Sequence, residues 1–276
     1  MGRIVKLALI SDIHANLEAL QATLNEISVQ SVDRIVCLGD IVGYNTNPAE
    51  CIALLRQVDP LCIAGNHDRA VCGQITTETF SNAAARAVAW TRERLGTDAL
   101  DFLGNLLLKA NIQNKLLAVH GALHPDTGCE TVRLDNDERR LLSFEALVAH
   151  PSGAQICAFG HTHRLGVYEF RSGQARLRSE DEVFLRDDAY YLINPGTVGQ
   201  PRTADRRATY MVLDFARRIV TVRYVEYDAS VPFAKTRKAG LAPPFSFLPV
   251  PVRDSLKCGL RALGLYESVK RIAGIS

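Results

Sequence analysis

Apolar positions along this chain fall into short runs that alternate with amphipathic stretches over the first two thirds of the sequence. Each run is rich in branched aliphatic side chains and too short for a helix, which is typical of buried strands. The predicted strands cover residues 3–10, 33–39, 61–65, 114–121 and 154–160.

The amphipathic stretches between these runs predict helices. In residues 16–27, three leucines and an isoleucine recur at helical spacing, and Asn16 is placed to cap the N-terminus. Asn47 precedes Pro48, a pair that is typical of a cap followed by the first helical position. Further helices are therefore predicted over residues 47–58, 77–96 and 143–150.

Beyond residue 165 the pattern changes to strands separated by turns. These strands are predicted at residues 166–170, 189–196, 208–215 and 218–227. Alternating strands and helices followed by hairpin-like strands favour an α/β fold with mixed rather than purely parallel sheets. We therefore expect one domain over residues 1–230 and a C-terminal extension over residues 231–276.

Composition places this chain among ordinary globular proteins. No apolar run reaches the roughly 18 residues that a membrane span requires. Asp12 and His14 end the first apolar run too early for a signal peptide. The cysteine number is odd, seven, and no C-x-x-C occurs, so neither a disulfide framework nor a zinc finger is indicated. We expect a cytoplasmic protein that does not interact with membranes.

Charge is distributed unevenly along the chain. Residues 231–276 carry eight Lys or Arg against two acidic residues, whereas the preceding residues have a small net negative charge. A basic segment can bind nucleic acid or anionic lipid. No aromatic residues alternate with these charges as a platform for single strands would require, so a solvated helix face is the favoured interpretation.

Side chains that commonly bind metals follow five of the predicted strands. Chance or an Asx turn would account for any one of these groups, but the five together, each directly after a strand, indicate a shared site. Ligands of open α/β sheets bind at the carboxyl ends of strands. The candidate residues are Asp12, His14, Asp40, Asn66, His67, Asp68, His120, His161 and His163.

This mixture of imidazole, carboxylate and amide groups fits a particular chemistry. Two divalent ions about 3.5–4 Å apart can hold a phosphate and activate water for attack on it. A carboxylate can bridge the ions, because it has two oxygens with several lone pairs. The absence of thiolate from the set favours Mn, Fe or Zn over Cu(I), and imidazole argues against Mg alone. Gly39, Gly65 and Gly160 precede the candidate ligands and let the backbone turn closely.

With these residues in place, the sequence resembles the calcineurin-like metallophosphoesterase superfamily. The matching motifs are D-x-H at 12–14, G-D at 39–40, G-N-H-D at 65–68, His120 and G-H-x-H at 160–163. The segment INPGTVGQPR at 193–202 is similar to that of the small bacterial and archaeal phosphodiesterase branch. The resemblance covers residues 4–226 and implies two mixed β-sheets sandwiched between helices in four layers.

The resemblance also implies roles for the candidate residues. Asp12, His14 and His163 would hold one metal ion, and Asn66, His120 and His161 the other, with Asp40 as the bridge. His67 would act at the leaving-group oxygen, as a general acid or by stabilising charge, and Asp68 would orient it. Two divalent ions are implied; we expect Mn, with Fe, Zn, Ni and Co as alternatives.

The implied activity is phosphoester hydrolysis by a hydroxide held between the metals. Ala64 stands where related protein phosphatases carry an arginine, so phosphodiester or nucleotide substrates are expected rather than phosphoproteins. Tyr44 could line the pocket or pack in the core, and Arg202 could meet a phosphate or cap its turn. A non-catalytic metal-binding scaffold and a nuclease that uses the basic extension are the alternatives, and the oligomeric state is left open.

Overall fold

The computed structural model of the chain describes residues 5–242, 250–266 and 268–269. Its strands are β1 (Lys6–Ile10), β2 (Arg34–Cys37), β3 (Leu61–Cys62), β4 (Lys109–Ile112), β5 (Leu116–Val119), β6 (Ile156–Ala158), β7 (Gly166–Arg171), β8 (Gln174–Arg178), β9 (Glu182–Phe184), β10 (Tyr190–Asn194), β11 (Ala208–Asp214) and β12 (Ile219–Val225). Its α-helices are α1 (Leu17–Ser28), α2 (Pro48–Val58), α3 (Asn66–Val71), α4 (Asn82–Arg92), α5 (Thr97–Gly104), α6 (Asp137–Val148), α7 (Ser230–Lys238) and α8 (Val250–Ala262).

The described strands form two six-stranded mixed sheets. The first has the order β3-β2-β1-β11-β12-β9 and the second the order β4-β5-β6-β10-β7-β8. Strands β1, β2 and β3 are parallel, as are β5, β6 and β10. Antiparallel β11 beside β1, and β7 beside β10, make both sheets mixed. The parallel strands bring their carboxyl ends to one edge of each sheet.

The two sheets pack against each other, and helices cover their outer faces. Leu7 and Leu9 of β1 belong to the core between the sheets, whereas Ala8 and Ile10 pack in the core with helices α1 and α2. Helix α6 covers the second sheet through Phe144. Burial on both faces explains why β1 is a continuous apolar run. The predicted α/β four-layer architecture is confirmed.

The start or the N-cap of helices α4, α6 and α2 differs from the sequence prediction. Helix α4 begins at Asn82 rather than Thr77, because the Ser81 hydroxyl accepts a hydrogen bond from the Ala84 N–H and caps the helix there. Helix α6 begins at Asp137, six residues before the predicted start. The Asn47 side chain does not cap α2, because its oxygen accepts from the Lys235 ammonium at 3.0 Å and its nitrogen donates to the Glu50 carboxylate at 2.9 Å.

Helix α7, with which the predicted basic extension begins, packs against α1. The Lys235 ammonium donates to the Glu18 carboxylate and, at 3.0 Å, to the Asn47 side-chain oxygen. The first helix of the extension is therefore fastened to the preceding residues, while Lys270 and Arg271 lie outside the described residues. Within the described ranges, no helix has both the length and the apolar character needed to cross a membrane.

Candidate metal centre

Turns at the ends of five strands bring the predicted site residues together. The turns after β1, β2, β5 and β6 carry Asp12, His14, Asp40, His120, His161 and His163, and the first turn of helix α3, which follows β3, carries Asn66, His67 and Asp68. The two sheets are joined here, because the His161 N–H donates to Asp12 Oδ2 at 3.1 Å. The Gly160 N–H donates to the His120 carbonyl oxygen at 2.8 Å, which joins the turns after β5 and β6.

Five of these residues have a left-handed backbone conformation, which residues other than glycine rarely adopt. The φ angles are 54° at Asp12, 49° at His14, 52° at Asp40, 62° at His161 and 58° at His163. Each such residue costs on the order of 1 kcal/mol, and such strain concentrates at functional sites. The surrounding turns therefore hold these side chains in place at an energetic cost.

The first cluster consists of Asp12, His14, Asp40 and His163, all buried. One ligand atom from each lies within 4.8 Å of the others. The Nε2 atoms of His14 and His163 are 3.1 Å apart, and His163 Nε2 is 3.2 Å from Asp12 Oδ1. These four side chains could hold a metal ion.

Backbone carbonyls behind the two imidazoles determine which nitrogen faces the cluster as an acceptor. His14 Nδ1 lies 3.1 Å from the Val42 oxygen, and His163 Nδ1 lies 2.8 Å from the Gln200 oxygen. A carbonyl only accepts, so Nδ1 carries the proton of each neutral ring and Nε2 presents a lone pair. Asp12 Oδ1 is buried without a hydrogen-bond partner. This concentration of acceptors fits a bound cation.

The second cluster consists of Asp40, His120 and His161, with Asn66 beside them. His120 Nδ1 lies 2.7 Å from the Leu38 carbonyl oxygen, so this ring also turns Nε2 toward its cluster. That nitrogen is 3.2 Å from Asn66 Oδ1 and 3.4 Å from Asp40 Oδ2. The second group could likewise hold a metal ion.

Asp40 belongs to both clusters. Its Oδ1 accepts a hydrogen bond from the His67 N–H at 2.8 Å. Its Oδ2 lies 3.5 Å from His14 Nε2 in one cluster and 3.4 Å from His120 Nε2 in the other. One carboxylate oxygen is thus held by the backbone, and the other lies between the two groups of imidazoles.

The four imidazoles of the two clusters differ in the direction of their pKa shifts. Burial lowers the pKa of His14 and His161, and it lowers that of His163 to about 3, so these rings are neutral at pH 7. Burial also opposes charge on His120, but the neighbouring Asp40 carboxylate outweighs it and raises the pKa to about 9. The position beside Asp40 attracts positive charge, and a metal ion would compete with this proton.

Gly39 and Gly65 allow the backbone to approach Asp40 closely. A Cβ atom on Gly65 would lie 2.1 Å from Asp40 Oδ1, and one on Gly39 would lie 2.5 Å from the Gly65 nitrogen. Neither distance is compatible with a side chain. These contacts agree with the predicted role of the glycines.

Comparison with known proteins identifies the family. Residues 5–218 match the Calcineurin-like phosphoesterase superfamily domain. The chain belongs to this superfamily. An uncharacterized protein of Methanocaldococcus jannaschii is 35% identical over 236 residues, which are 84% of this chain and 92% of that protein. Membership implies hydrolysis of phosphate esters.

Solved structures support the same assignment. A metallophosphoesterase from Sphaerobacter thermophilus is 31% identical, with a TM-score of 0.72 over 87% of this chain and 96% of that one. A hypothetical protein from Pyrococcus horikoshii is 17% identical, with a TM-score of 0.65 over 87% and 95% of the two chains, and it shares the fold. The predicted calcineurin-like resemblance is confirmed.

In this calcineurin-like phosphoesterase, His67 lies beside the first cluster. Its ring centroid is 4.8 Å from those of His14 and Tyr44 and 5.1 Å from that of Phe80. Its Nδ1 is buried without a hydrogen-bond partner. The His67 ring is therefore held by packing against the neighbouring rings and not by a hydrogen bond at Nδ1.

Asp68 does not form the hydrogen bond to His67 that its predicted orienting role would require. Its carboxylate accepts from the Gly65 N–H at 3.0 Å and from the Val42 N–H at 3.1 Å. Both oxygens are used by the backbone, so Asp68 ties the start of α3 to the loop after β2. Asp68 can therefore influence His67 only by fixing the position of α3.

A cleft of about 450 Å³ opens at the two clusters. Its lining includes the predicted residues Asp40, Asn66, His67, His161 and His163. Tyr44 and Arg202, whose roles the sequence left open, also line the cleft. Tyr44 packs edge-on against His14 with 4.7 Å between ring centroids, and Arg202 Nη2 lies 3.1 Å from His163 Nε2.

Phe80 and Arg133 are among the cleft residues that sequence reasoning missed. Arg133 lies in a loop after a 3₁₀ turn at Cys129–Thr131, where no motif or periodicity marks it. Its Nε atom is buried without a hydrogen-bond partner, and burial lowers the pKa of its guanidinium. Arg133 and Arg202 give the cleft positive charge beyond that of any bound metal.

Proposed function

We propose that this protein is a dinuclear metal-dependent phosphoesterase that hydrolyses phosphodiester or nucleotide substrates. The observation that carries the proposal is the position of Asp40 Oδ2, which lies within 3.5 Å of an imidazole nitrogen of each cluster. A carboxylate has enough lone pairs to serve two cations. Two ions that share a ligand are suited to phosphate ester hydrolysis.

The two clusters support a specific division of ligands. Asp12, His14 and His163 would hold one ion, and Asn66, His120 and His161 the other, with Asp40 shared. The carbonyls of Val42, Gln200 and Leu38 orient three of the imidazoles. Such outer contacts fix the ring tautomer and strengthen the ligand.

The ligand types suggest which metals would bind. Imidazole, carboxylate and amide oxygens without thiolate suit Mn, which we expect, and also Fe, Zn, Ni or Co. Such ions, when bound, supply activation of water and neutralisation of phosphate charge. The residues of the chain would then position the substrate around them.

Three cleft residues have roles in this proposal. Arg133 and Arg202 line the cleft and would bind the nonbridging phosphate oxygens through their guanidinium groups. His67 would stabilise negative charge on the leaving-group oxygen, because a neutral imidazole carries one N–H donor. These residues are catalytic or substrate-binding candidates rather than metal ligands.

Cleft size supports a substrate larger than inorganic phosphate. Small-molecule sites commonly have volumes of about 300–1,000 Å³. The observed volume of about 450 Å³ leaves space for organic groups on the phosphate. Together with Ala64 in place of the protein-phosphatase arginine, this favours a diester or nucleotide.

The test is to strip the protein of metal, add Mn²⁺ and compare hydrolysis of bis-p-nitrophenyl phosphate with that of p-nitrophenyl phosphate. We expect metal-dependent cleavage that favours the diester. A preference for the monoester would overturn the diester assignment. Failure to cleave either ester with any of the five metals would overturn the enzymatic proposal.

A further inference from the structure

A second cavity adjoins the metal cleft, between the loop after β2 and helix α7. It has a volume of about 410 Å³, and Tyr44 and Gln200 line both cavities. We call it the α7 pocket; its other lining residues include Asn45, Tyr227 and Phe233. None of the roles assigned above uses this space.

The two cavities differ in chemistry. The α7 pocket is lined by aromatic, proline and amide side chains, and Arg206 is its single charged residue among those described. No acidic side chain of the described residues lines it. The metal cleft, in contrast, has a carboxylate, three imidazoles and two guanidiniums. A phosphate suits the cleft, and an uncharged planar ring suits the α7 pocket.

Hydrogen bonds fix the walls of the α7 pocket. The Asn45 side chain donates to the His14 carbonyl oxygen at 2.9 Å and accepts from the Thr236 hydroxyl at 3.1 Å. The Asn16 side chain donates to the Gly199 carbonyl oxygen at 2.9 Å and to the Tyr227 hydroxyl at 3.4 Å. These contacts connect the pocket to the metal-site backbone, so a ligand would meet a preformed surface.

Tyr44 stands where the two cavities meet. It has a left-handed φ of 59°, and its ring contacts both His14 and His67. A substrate whose phosphate lies at the metals would therefore extend past Tyr44 to reach the α7 pocket.

We propose that the α7 pocket binds an aromatic, nucleobase-like ring attached through a sugar or similar linker to the substrate phosphate. This inference rests on the proposed phosphoesterase function and specifies its substrate class. Tyr227 and Phe233 lie beyond residue 218, where the family match ends. Residues beyond the matched domain thus contribute to substrate selection, while the matched domain supplies the metal site.

The experiment compares binding of thymidine 5′-monophosphate and methyl phosphate to the Mn²⁺-loaded protein by calorimetry. We expect the nucleotide to bind more tightly, and Phe233→Ala to reduce the affinity ratio about tenfold, as loss of an aromatic stacking surface predicts. Val231→Ala is the matched control, because both side chains are 37% exposed on α7 and Val231 does not line the pocket. It should leave the ratio unchanged.

A second variant approaches the pocket from its opposite wall. Ala83→Trp, on α4, should fill the cavity and reduce the same ratio without removing any α7 residue. An unchanged ratio in both Phe233→Ala and Ala83→Trp would overturn the proposal, as would equal affinity of the wild-type protein for both ligands.

Binding of thymidine, which carries no phosphate, tests the pocket assignment independently of the proposed phosphoesterase function. We expect it to bind the metal-free protein, with binding weakened by Phe233→Ala. If Mn²⁺ affects neither phosphate ligand but thymidine still binds, the metal proposal fails and the pocket assignment stands. If diesters are hydrolysed but thymidine does not bind, the pocket assignment fails alone.

Discussion

His14 and His163 bring their Nε2 atoms to within 3.1 Å of each other across 149 residues of chain. A backbone carbonyl contacts Nδ1 of each ring, so the facing nitrogens are both acceptors. Burial raises the pKa of Asp12 to about 7, so above that pH its Oδ1, 3.2 Å from one of them, is an acceptor as well. This arrangement therefore lowers the stability of the metal-free protein, and a bound cation would raise it.

Asp12→Asn should stabilise the metal-free protein while weakening its response to metal. The substitution removes a buried carboxylate oxygen that has no hydrogen-bond partner, an unsatisfied group that costs about 1–3 kcal/mol. We expect a higher Tm without metal and a smaller increase on adding Mn²⁺, measured by calorimetry.

Asp68→Asn is the matched comparison for that substitution. Asp68 is equally buried, but both of its oxygens accept backbone N–H groups, so an amide nitrogen there would face a donor. We expect a lower Tm in the metal-free protein. Destabilisation of both variants to the same extent would argue against unsatisfied acceptors at Asp12.

His67→Ala should lower the turnover of phosphodiesters by about 10²-fold or more, as expected for loss of a group that assists the leaving oxygen. Metal content should not change, because His67 is outside the proposed ligand set. His124→Ala is the control, since His124 is exposed and does not line the cleft. Normal turnover in the His67 variant would remove this residue from the mechanism.

Gly65→Ala should destabilise the protein by about 1–3 kcal/mol, because the methyl group overlaps Asp40 and its backbone. Gly96→Ala provides a control at another helix N-cap with an extended backbone, where an added Cβ meets nothing within 4 Å. Urea unfolding should separate the two variants. Equal stability would mean that Asp40 can shift without loss.

Arg69→Ala should destabilise the protein by about 3 kcal/mol, because it leaves the buried Glu130 carboxylate without its ion-pair partner. This pair joins α3, which carries His67, to the turn that precedes Arg133. Arg56→Ala breaks an exposed pair with Asp98 and should have little effect. Urea unfolding of the two variants gives the comparison, and matching midpoints would contradict the role of the buried pair.

Much of the site could be predicted because its residues directly follow apolar strands. Asp12, Asp40 and His120 are marked by the runs before them, and parallel strands end at one edge. Phe80 and Arg133 carry no such mark, because they reach the cleft from loops whose path depends on packing. The contact of Asp68 with Val42 depends equally on loop geometry.

The sequence predicts the buried strands of the fold better than the strands at the sheet edges. Burial of both faces makes β1 an apolar run, whereas β8 forms a sheet edge with a largely exposed, charged sequence that resembles a loop. The packing of α7 on α1 depends on Lys235 meeting Glu18 across more than 200 residues, a contact that periodicity does not encode.

The number of metal ions bound per chain tests the central claim most directly. Metal-free protein would be dialysed to equilibrium against Mn²⁺ and analysed by mass spectrometry of the metal, with paramagnetic resonance to detect coupling between ions. The account predicts two Mn²⁺ ions per chain that are magnetically coupled, and loss of the coupling in Asp40→Ala. One ion per chain, or two uncoupled ions in the wild-type protein, would contradict a pair that shares Asp40.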